Sequence, residues 1–351
     1  MSKIFYKALG KKEEWPNITA VNPASLTYDD VLLVPKISGI NSRSEIDTSI
    51  KFGPYTLTKP IITAPMDTIT GERMARELAR LGGIGTIPRC DIYEMKKICE
   101  RLTNENIPAV YVLGLQNYLE EAKTLREAGA KAILLDVAHG GLEKLIQAGT
   151  EIKKKLNLFV IAGNIVTYEE ANEYKKAKID MARVGVGAGG LCTTRLIAGA
   201  GIPQLSAIFD TISSGIPVIA DQAIRKPADL AKAIAAGATI GMIGSIFAGT
   251  DETPGEVIDG KKIARGQSSE SYMKDNGVST GEFRAAEGVT IKVPTKGPVE
   301  NIVEELMGGL RSAMSYSGAK NIKEFQEKAE FCLVSPAARK DSAPWLSELS
   351  K

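Results

Sequence analysis

The stretch from Arg183 to Leu205, RVGVGAGGLCTTRLIAGAGIPQL, sets one cysteine behind a run of glycines, with two threonines after it and no acidic residue. Glycines at 185, 187, 189 and 190 permit positive φ and let the backbone approach a ligand or ion closely. Carbonyls turned inward could hold a monovalent cation, and amides turned inward an anion. A thiolate at Cys192, near free backbone amides, would be an activated nucleophile. Most cysteines are small buried hydrophobes, and Cys90, Cys99 and Cys332 are read that way. At Cys192 the loop context favours chemistry.

Such a loop needs elements to aim it. Between residues 58 and 250 a short apolar run returns eight times: KPIITAPM (59–66), GGIGTIP (82–88), AVYVLG (109–114), AILLDV (132–137), LFVIAGN (158–164), MARVGV (181–186), PVIAD (217–221) and IGMIGS (240–245). Runs of this length with few charges read as strands buried on both faces. Between them lie segments with helical spacing, such as YLEEAKTLREAGA ending at Gly129 and KPADLAKAIAAGA stopping at Gly237. Eight such units predict an α/β protein with a closed (β/α)8 barrel. An open doubly wound sheet is weaker, because no GxGxxG follows the first strand. One domain is expected over 1–351, with the barrel at about 58–335 and an N-terminal extension before it. Residues 251–297 interrupt the last strand–helix unit and are read as a mobile flap over the barrel mouth, where active sites of this fold sit.

The bulk properties narrow the function. With 351 residues and a net charge of +2, nothing argues for nucleic acid or an anionic membrane as partner. No apolar run approaches the roughly 20 residues that span a bilayer. The charged start, MSKIFYKALGKKEEWPN, has no apolar core and does not read as a signal peptide. Four cysteines without a CxxC pair, and a single histidine, leave no Cys/His zinc site. Reduced thiols and a cytoplasmic location fit best.

Several ordered motifs carry a resemblance. GVGAGGLCTTRLIAGAGIPQLSAI looks like the catalytic loop of the IMP dehydrogenase and GMP reductase family. SLTYDDVLLVP (25–35), APMDTIT (64–70), AGNIVT (162–167), FAGTDETPGE (247–256) and GGLRSAMSYSGA (308–319) are similar to further family segments, so the resemblance runs from about Leu26 to Val334. It implies that Cys192 attacks C2 of a purine nucleotide, since that step needs a nucleophile that can also leave. It makes Thr194 the residue that handles water or ammonia, and Asp221 the carboxylate for the ribose diol. Gly244 and Ser245 become a phosphate-binding turn, with Ala223 beside it. Met66 is placed on the substrate side. Asp136, Asn164, Gly185 and Gly187 are placed toward the nicotinamide. The carbonyls of Gly187, Gly189 and Cys192 are implied as a site for a monovalent cation, K+. A polar residue at a strand end is often only a helix cap; three ending buried strands on one face favour a shared site.

The flap separates the two reactions. Dehydrogenases of the family carry an Arg-Tyr pair there, absent between 251 and 297, and no CBS domains interrupt the chain after the second strand. RGQSSESYMKDNGVSTGEFRAAEGVTIKVP (265–294) resembles the reductase pattern instead. That implies Gln267, Ser268, Ser269 and Arg284 near the base, and Glu287 on N1 and the 2-amino group, acting with Thr194 on departing ammonia. Reduction of GMP to IMP with NADPH is therefore expected, with IMP dehydrogenation by NAD and a deoxy or modified purine nucleotide as alternatives. A non-catalytic nucleotide binder has no use for Cys192, Thr194 and Glu287. A homotetramer is implied by the resemblance alone. Three positions depart from the family: Gly190 where serine is usual, Gln222-Ala223 where two glycines are usual, and Gln267 where methionine is usual. Side chains at 222 and 223 are expected to crowd the phosphate.

Overall fold

The computed structural model describes residues 3–8, 11–14, 25–277, 280–281 and 283–340. Parts of the N-terminal segment, and Val278, Ser279 and Glu282 of the flap, lie outside the described residues. Eight parallel strands form the barrel: β1 Ile61–Thr63, β2 Gly85–Ile87, β3 Ala109–Leu113, β4 Ala132–Asp136, β5 Phe159–Ile165, β6 Met181–Val184, β7 Val218–Asp221 and β8 Ile240–Ile243. They are ordered β1-β8-β7-β6-β5-β4-β3-β2. The ring closes through one bridge, Ile62 to Ile84, with Thr63 N–H donating to the Ile84 carbonyl at 3.2 Å and Ile84 N–H to that of Ile61 at 3.1 Å. All eight apolar runs are barrel strands, and nearly every strand residue is buried, as parallel strands covered on both faces must be.

The helices that follow the barrel strands are α1 Glu72–Arg80, α2 Ile92–Asn104, α3 Tyr118–Glu127, α4 Glu143–Leu156, α5 Tyr168–Lys176, α6 Gln204–Ile212, α7 Pro227–Ala235 and α8 Val299–Tyr316. Their starts follow local chemistry. Asp91 caps α2, Thr167 and Glu170 form a capping box on α5, and α7 begins with Pro227. α2 follows β2 after four residues, so no domain is inserted there.

Outside the ring, the hairpin Ile50–Phe52 and Tyr55–Leu57 lies at the N-terminal end of the strands, where Phe52 packs on Phe159 with ring centroids 5.6 Å apart. The SLTYDDVLLVP segment does not reach the mouth. It clasps outer helices: Leu26 N–H donates to Ser206 Oγ at 2.7 Å, and buried Lys232 Nζ donates to the Tyr28 carbonyl at 2.9 Å. Residues 330–333, expected inside the barrel range, form a strand that pairs with Lys3–Ala8 and Val31–Leu33 in a separate sheet. The barrel proper ends with α8. The flap is a hairpin, β9 Lys261–Arg265 and β10 Thr290–Pro294, with a short helix Glu270–Asp275 in its connection. Among the described residues no helix is long and apolar enough to cross a membrane.

Candidate active site

A cavity of about 1030 Å³ opens at the C-terminal ends of the strands. Met66, Asp136, Asn164, Arg183, Gly185, Gly187, Gly189, Cys192, Thr194, Asp221, Ala223, Gly244, Ser245, Gln267, Ser268, Arg284 and Glu287 all line it. One pocket thus gathers every residue singled out from the sequence except Ser269.

At its centre the Cys192 loop and the flap are joined as a short antiparallel pair. Cys192 stands opposite Gly288; Thr193 N–H donates to the Glu287 carbonyl at 2.8 Å and Val289 N–H to that of Leu191 at 3.0 Å. This pairing brings two distant side chains together. Thr194 Oγ1 donates to Glu287 Oε2 at 2.7 Å, and Cys192 Sγ lies 3.2 Å from Thr194 Oγ1. The threonine has one hydroxyl proton, and it points to the carboxylate. The thiol is then the donor to Thr194, which makes a path S–H to O–H to carboxylate.

The ends of β4 to β7 form a second cluster. Arg183, at the third position of β6, donates from Nη1 to Asp136 Oδ1 at 2.5 Å and from Nε to Asp221 Oδ2 at 2.9 Å. Asn164 Nδ2 donates to the same Asp221 oxygen at 2.8 Å and to the Gly185 carbonyl at 2.6 Å. Burial alone would lower the pKa of Arg183; the facing charges of Asp221 and Asp136 and their hydrogen bonds outweigh it and raise the pKa. Two carboxylates share one guanidinium, and Asp221 Oδ1 has no hydrogen-bond partner among the described residues. Asp136 and Asn164 therefore belong to the same network as the ribose candidate. Arg183 was not singled out from the sequence, although a lone charge inside an apolar strand was its signal. Gly185 makes the network possible: at φ +142° a Cβ would lie 2.0 Å from the Asp221 carbonyl oxygen.

The outer corner holds Gly190, Ser245, Gln222 and Ala223. A Cβ on Gly190 would meet Ser245 Oγ at 3.1 Å, so Ser245 takes the room a serine at 190 would need. Gln222 and Ala223 keep a left-handed backbone, with φ of +84° and +59°. The crowding expected at Gln222 takes another form: its side chain turns to the cysteine loop, where Oε1 accepts the Ala188 N–H at 2.6 Å. Gln267 Nε2 is buried without a partner among the described residues. Ser269, expected against the base, is instead the N-cap of the short flap helix, its Oγ accepting from Tyr272 N–H at 3.3 Å. Of the two adjacent serines, Ser268 faces the cavity.

The flap is tied down at its base. Arg265 forms ion pairs with Asp67 and with Asp275, and stacks 5.4 Å from the Tyr272 ring centroid. Burial raises the pKa of Tyr272. For a monovalent cation, the Gly187 and Cys192 carbonyls accept no hydrogen bond among the described residues, and that of Gly189 accepts one from Cys192 N–H at 3.1 Å. Neutral carbonyls of this kind fit part of such an ion's shell. No cluster of three His, Cys, Asp or Glu side chains suited to a metal occurs among the described residues.

Comparison with known proteins agrees with this geometry. The IMP dehydrogenase / GMP reductase domain family matches residues 25–345. An inosine-5′-monophosphate dehydrogenase from Cryptosporidium parvum is 36% identical over 90% of this chain and 94% of that protein. A GMP reductase from Streptococcus equi subsp. equi (strain 4047) is 36% identical over 85% and 92%. The crystal structure of GMP reductase from Trypanosoma brucei, in complex with guanosine 5′-monophosphate, superposes with a TM-score of 0.85 at 28% identity, covering 92% of this chain and 98% of that one. A barrel whose cysteine loop, strand-end carboxylates and flap meet in one cavity, matched over nearly its whole length by these relatives, belongs to the IMP dehydrogenase / GMP reductase family of purine nucleotide oxidoreductases.

Proposed function

We propose that this chain reduces GMP to IMP with release of ammonia, using NADPH. The observation that carries the reading is the line from Cys192 Sγ through Thr194 Oγ1 to Glu287 Oε2, at 3.2 and 2.7 Å. The thiol proton passes along it to Glu287, and the Cys192 thiolate forms a bond to C2 of guanine. Glu287 then returns a proton through Thr194 to the 2-amino group. The C2–N bond breaks and ammonia leaves, with the base held on sulfur. NADPH, when bound, supplies a hydride to C2. Cys192 departs as thiolate and IMP is released. One proton, one hydride and one ammonia balance the step. A carboxylate reached through a hydroxyl suits protonation of a leaving amine, and the flap at 251–297 lacks the Arg-Tyr pair that the family resemblance assigns to dehydrogenases.

The other residues position the substrate. Asp221 Oδ1 accepts from the ribose hydroxyls, with Arg183 and Asn164 holding its partner oxygen. Ser245, with Gly244 and Ala223, takes the 5′-phosphate. Gln267, Ser268 and Arg284 lie toward the base. Arg89 lines the cavity beyond Cys90 and forms no ion pair among the described residues, which suits the phosphates of a dinucleotide. The cavity, about 1030 Å³, lies at the upper end of the ~300–1,000 Å³ usual for ligand pockets, which suits a nucleotide with the reactive end of NADPH beside it. We extend the reading to K+ at the Gly187, Gly189 and Cys192 carbonyls, a homotetramer and a cytoplasmic location.

The test is NADPH absorbance with GMP, run beside IMP plus NAD, both with potassium. NADPH loss with ammonia release, reduced at least about 10³-fold in Cys192→Ala, is expected. NADH formation from IMP alone would replace the reading with the dehydrogenase. Activity with deoxy or base-modified purine nucleotides but not GMP would move it to a changed substrate.

A further inference from the structure

We infer that Gln222 is a positioning residue that locks the cysteine loop through the Gly187–Ala188 peptide, doing from within the chain part of what a bound monovalent cation would do. The inference rests on the cation reading above but is tested apart from it.

Gln222 Oε1 accepts the Ala188 N–H at 2.6 Å. The cis peptide among the described residues is Gly163–Asn164, so the bond between Gly187 and Ala188 is trans. In a trans peptide the C=O and the N–H point in opposite directions and turn as one plate. Fixing the Ala188 N–H therefore fixes the Gly187 carbonyl, one of the three oxygens offered to a cation. Glycine at 187, with φ +81°, resists rotation of that plate less than any other residue would. The side chain of Gln222 also runs past the next residue, where a Cβ added to Gly189 would come within 3.6 Å of its Cδ. Gly189 in turn accepts the Cys192 N–H. Thus Gln222 grips the loop at Ala188, four positions before the nucleophile and next to the residue whose carbonyl takes the Cys192 N–H.

Its own backbone is held in place at some cost. A glutamine at φ +84°, followed by alanine at φ +59°, stands where glycines would sit without strain. Such strain persists where the surroundings over-determine it, and it clusters at functional sites. Asp221, one residue before, is anchored by Arg183 and Asn164. The grip on the loop is therefore referred to the most rigid part of the mouth.

Three variants separate the hydrogen bond from packing and strain. Gln222→Met keeps length and backbone but has no acceptor for the N–H. Gln222→Glu keeps an acceptor. Gln222→Gly removes the side chain and the strain. The readout is alkylation of Cys192 by iodoacetamide, followed by peptide mass spectrometry so that Cys90, Cys99 and Cys332 are counted apart, with and without potassium chloride, beside thermal melting. One such hydrogen bond is worth about fivefold in a local opening equilibrium. Cys192 in Gln222→Met is expected to alkylate about fivefold faster than in the parent without potassium, and to return toward the parent rate with it. Gln222→Glu is expected to match the parent. Gln222→Gly is expected to alkylate faster while melting higher, a combination that general destabilisation does not give. Equal rates in parent and Gln222→Met, or Gln222→Glu behaving like Gln222→Met, would overturn the inference. So would a potassium effect of equal size in both proteins. Absence of GMP turnover would sink the proposed function and leave the alkylation result standing.

Discussion

Two regions meet at Cys192 and are held by different means. The ends of β4 to β7 are joined by a buried ionic network, in which Arg183 bridges Asp136 and Asp221 and Asn164 ties Asp221 to the Gly185 carbonyl. The flap reaches the same cavity on a few backbone hydrogen bonds and one surface-linked arginine. The first region costs much to disturb, because a buried charge that loses its partner is left uncompensated. The second costs little. On the reading proposed above, ribose recognition falls to the rigid side, while Glu287, the proton carrier for the leaving amine, falls to the flap side. A site that encloses its substrate between such halves can release product without loosening the barrel.

Breaking the rigid half should give the largest effect. Arg183→Ala strands two buried carboxylates and is expected to cost about 3–5 kcal/mol, read as a lower urea midpoint; a loss below about 1 kcal/mol would mean that the network is not what stiffens the mouth. Glu287→Gln is expected to leave the urea midpoint alone and to lower kcat about 10²- to 10³-fold with KM changed little. If both mutations moved stability alike, the two regions would not differ as described. Arg265→Ala removes the flap's tie to Asp67 and is expected to cost about 1 kcal/mol or less globally, while limited proteolysis within 251–297 speeds up several-fold. Unchanged proteolysis would show that the antiparallel pairing across Cys192 alone seats the flap. The smallest effect runs the other way. Ala223→Gly relieves a left-handed backbone and is expected to add about 1 kcal/mol of stability; a loss would mean that the methyl group packs usefully against the cavity wall.

The barrel was legible because its strands are buried on both faces, and such strands write themselves as apolar runs that tolerate little else. The cysteine loop was legible because few other structures need glycines so close to a nucleophile. What stayed hidden were choices made by side-chain direction. Arg183 is masked by the apolar neighbours that bury it. Ser268 and Ser269 are chemically alike, and only the start of a six-residue helix decides which one caps. Gln222 has the composition of an obstruction, yet it swings onto the loop. Residues 330–333 have strand character, but nothing local names their partners across some 300 positions of chain.

The single bridge between β1 and β2 gives the ring a seam. On each side of it, glycine is required by contact: a Cβ on Gly83 would lie 2.7 Å from the Ile61 carbonyl oxygen, and one on Gly85 would lie 2.5 Å from Ala75 Cα. The seam is thus short in ladder pairing, is joined as well by the bond from Thr86 N–H to Thr63 Oγ1 at 2.9 Å, and is tightly fitted in shape. In a hydrogen-exchange experiment the amides of Thr63 and Ile84 would trade deuterium before those of β4 and β5, whose ladder runs five residues. Opening of the cylinder at this seam would be felt in the turn after β1, where Met66 lines the cavity and Asp67 holds Arg265 of the flap.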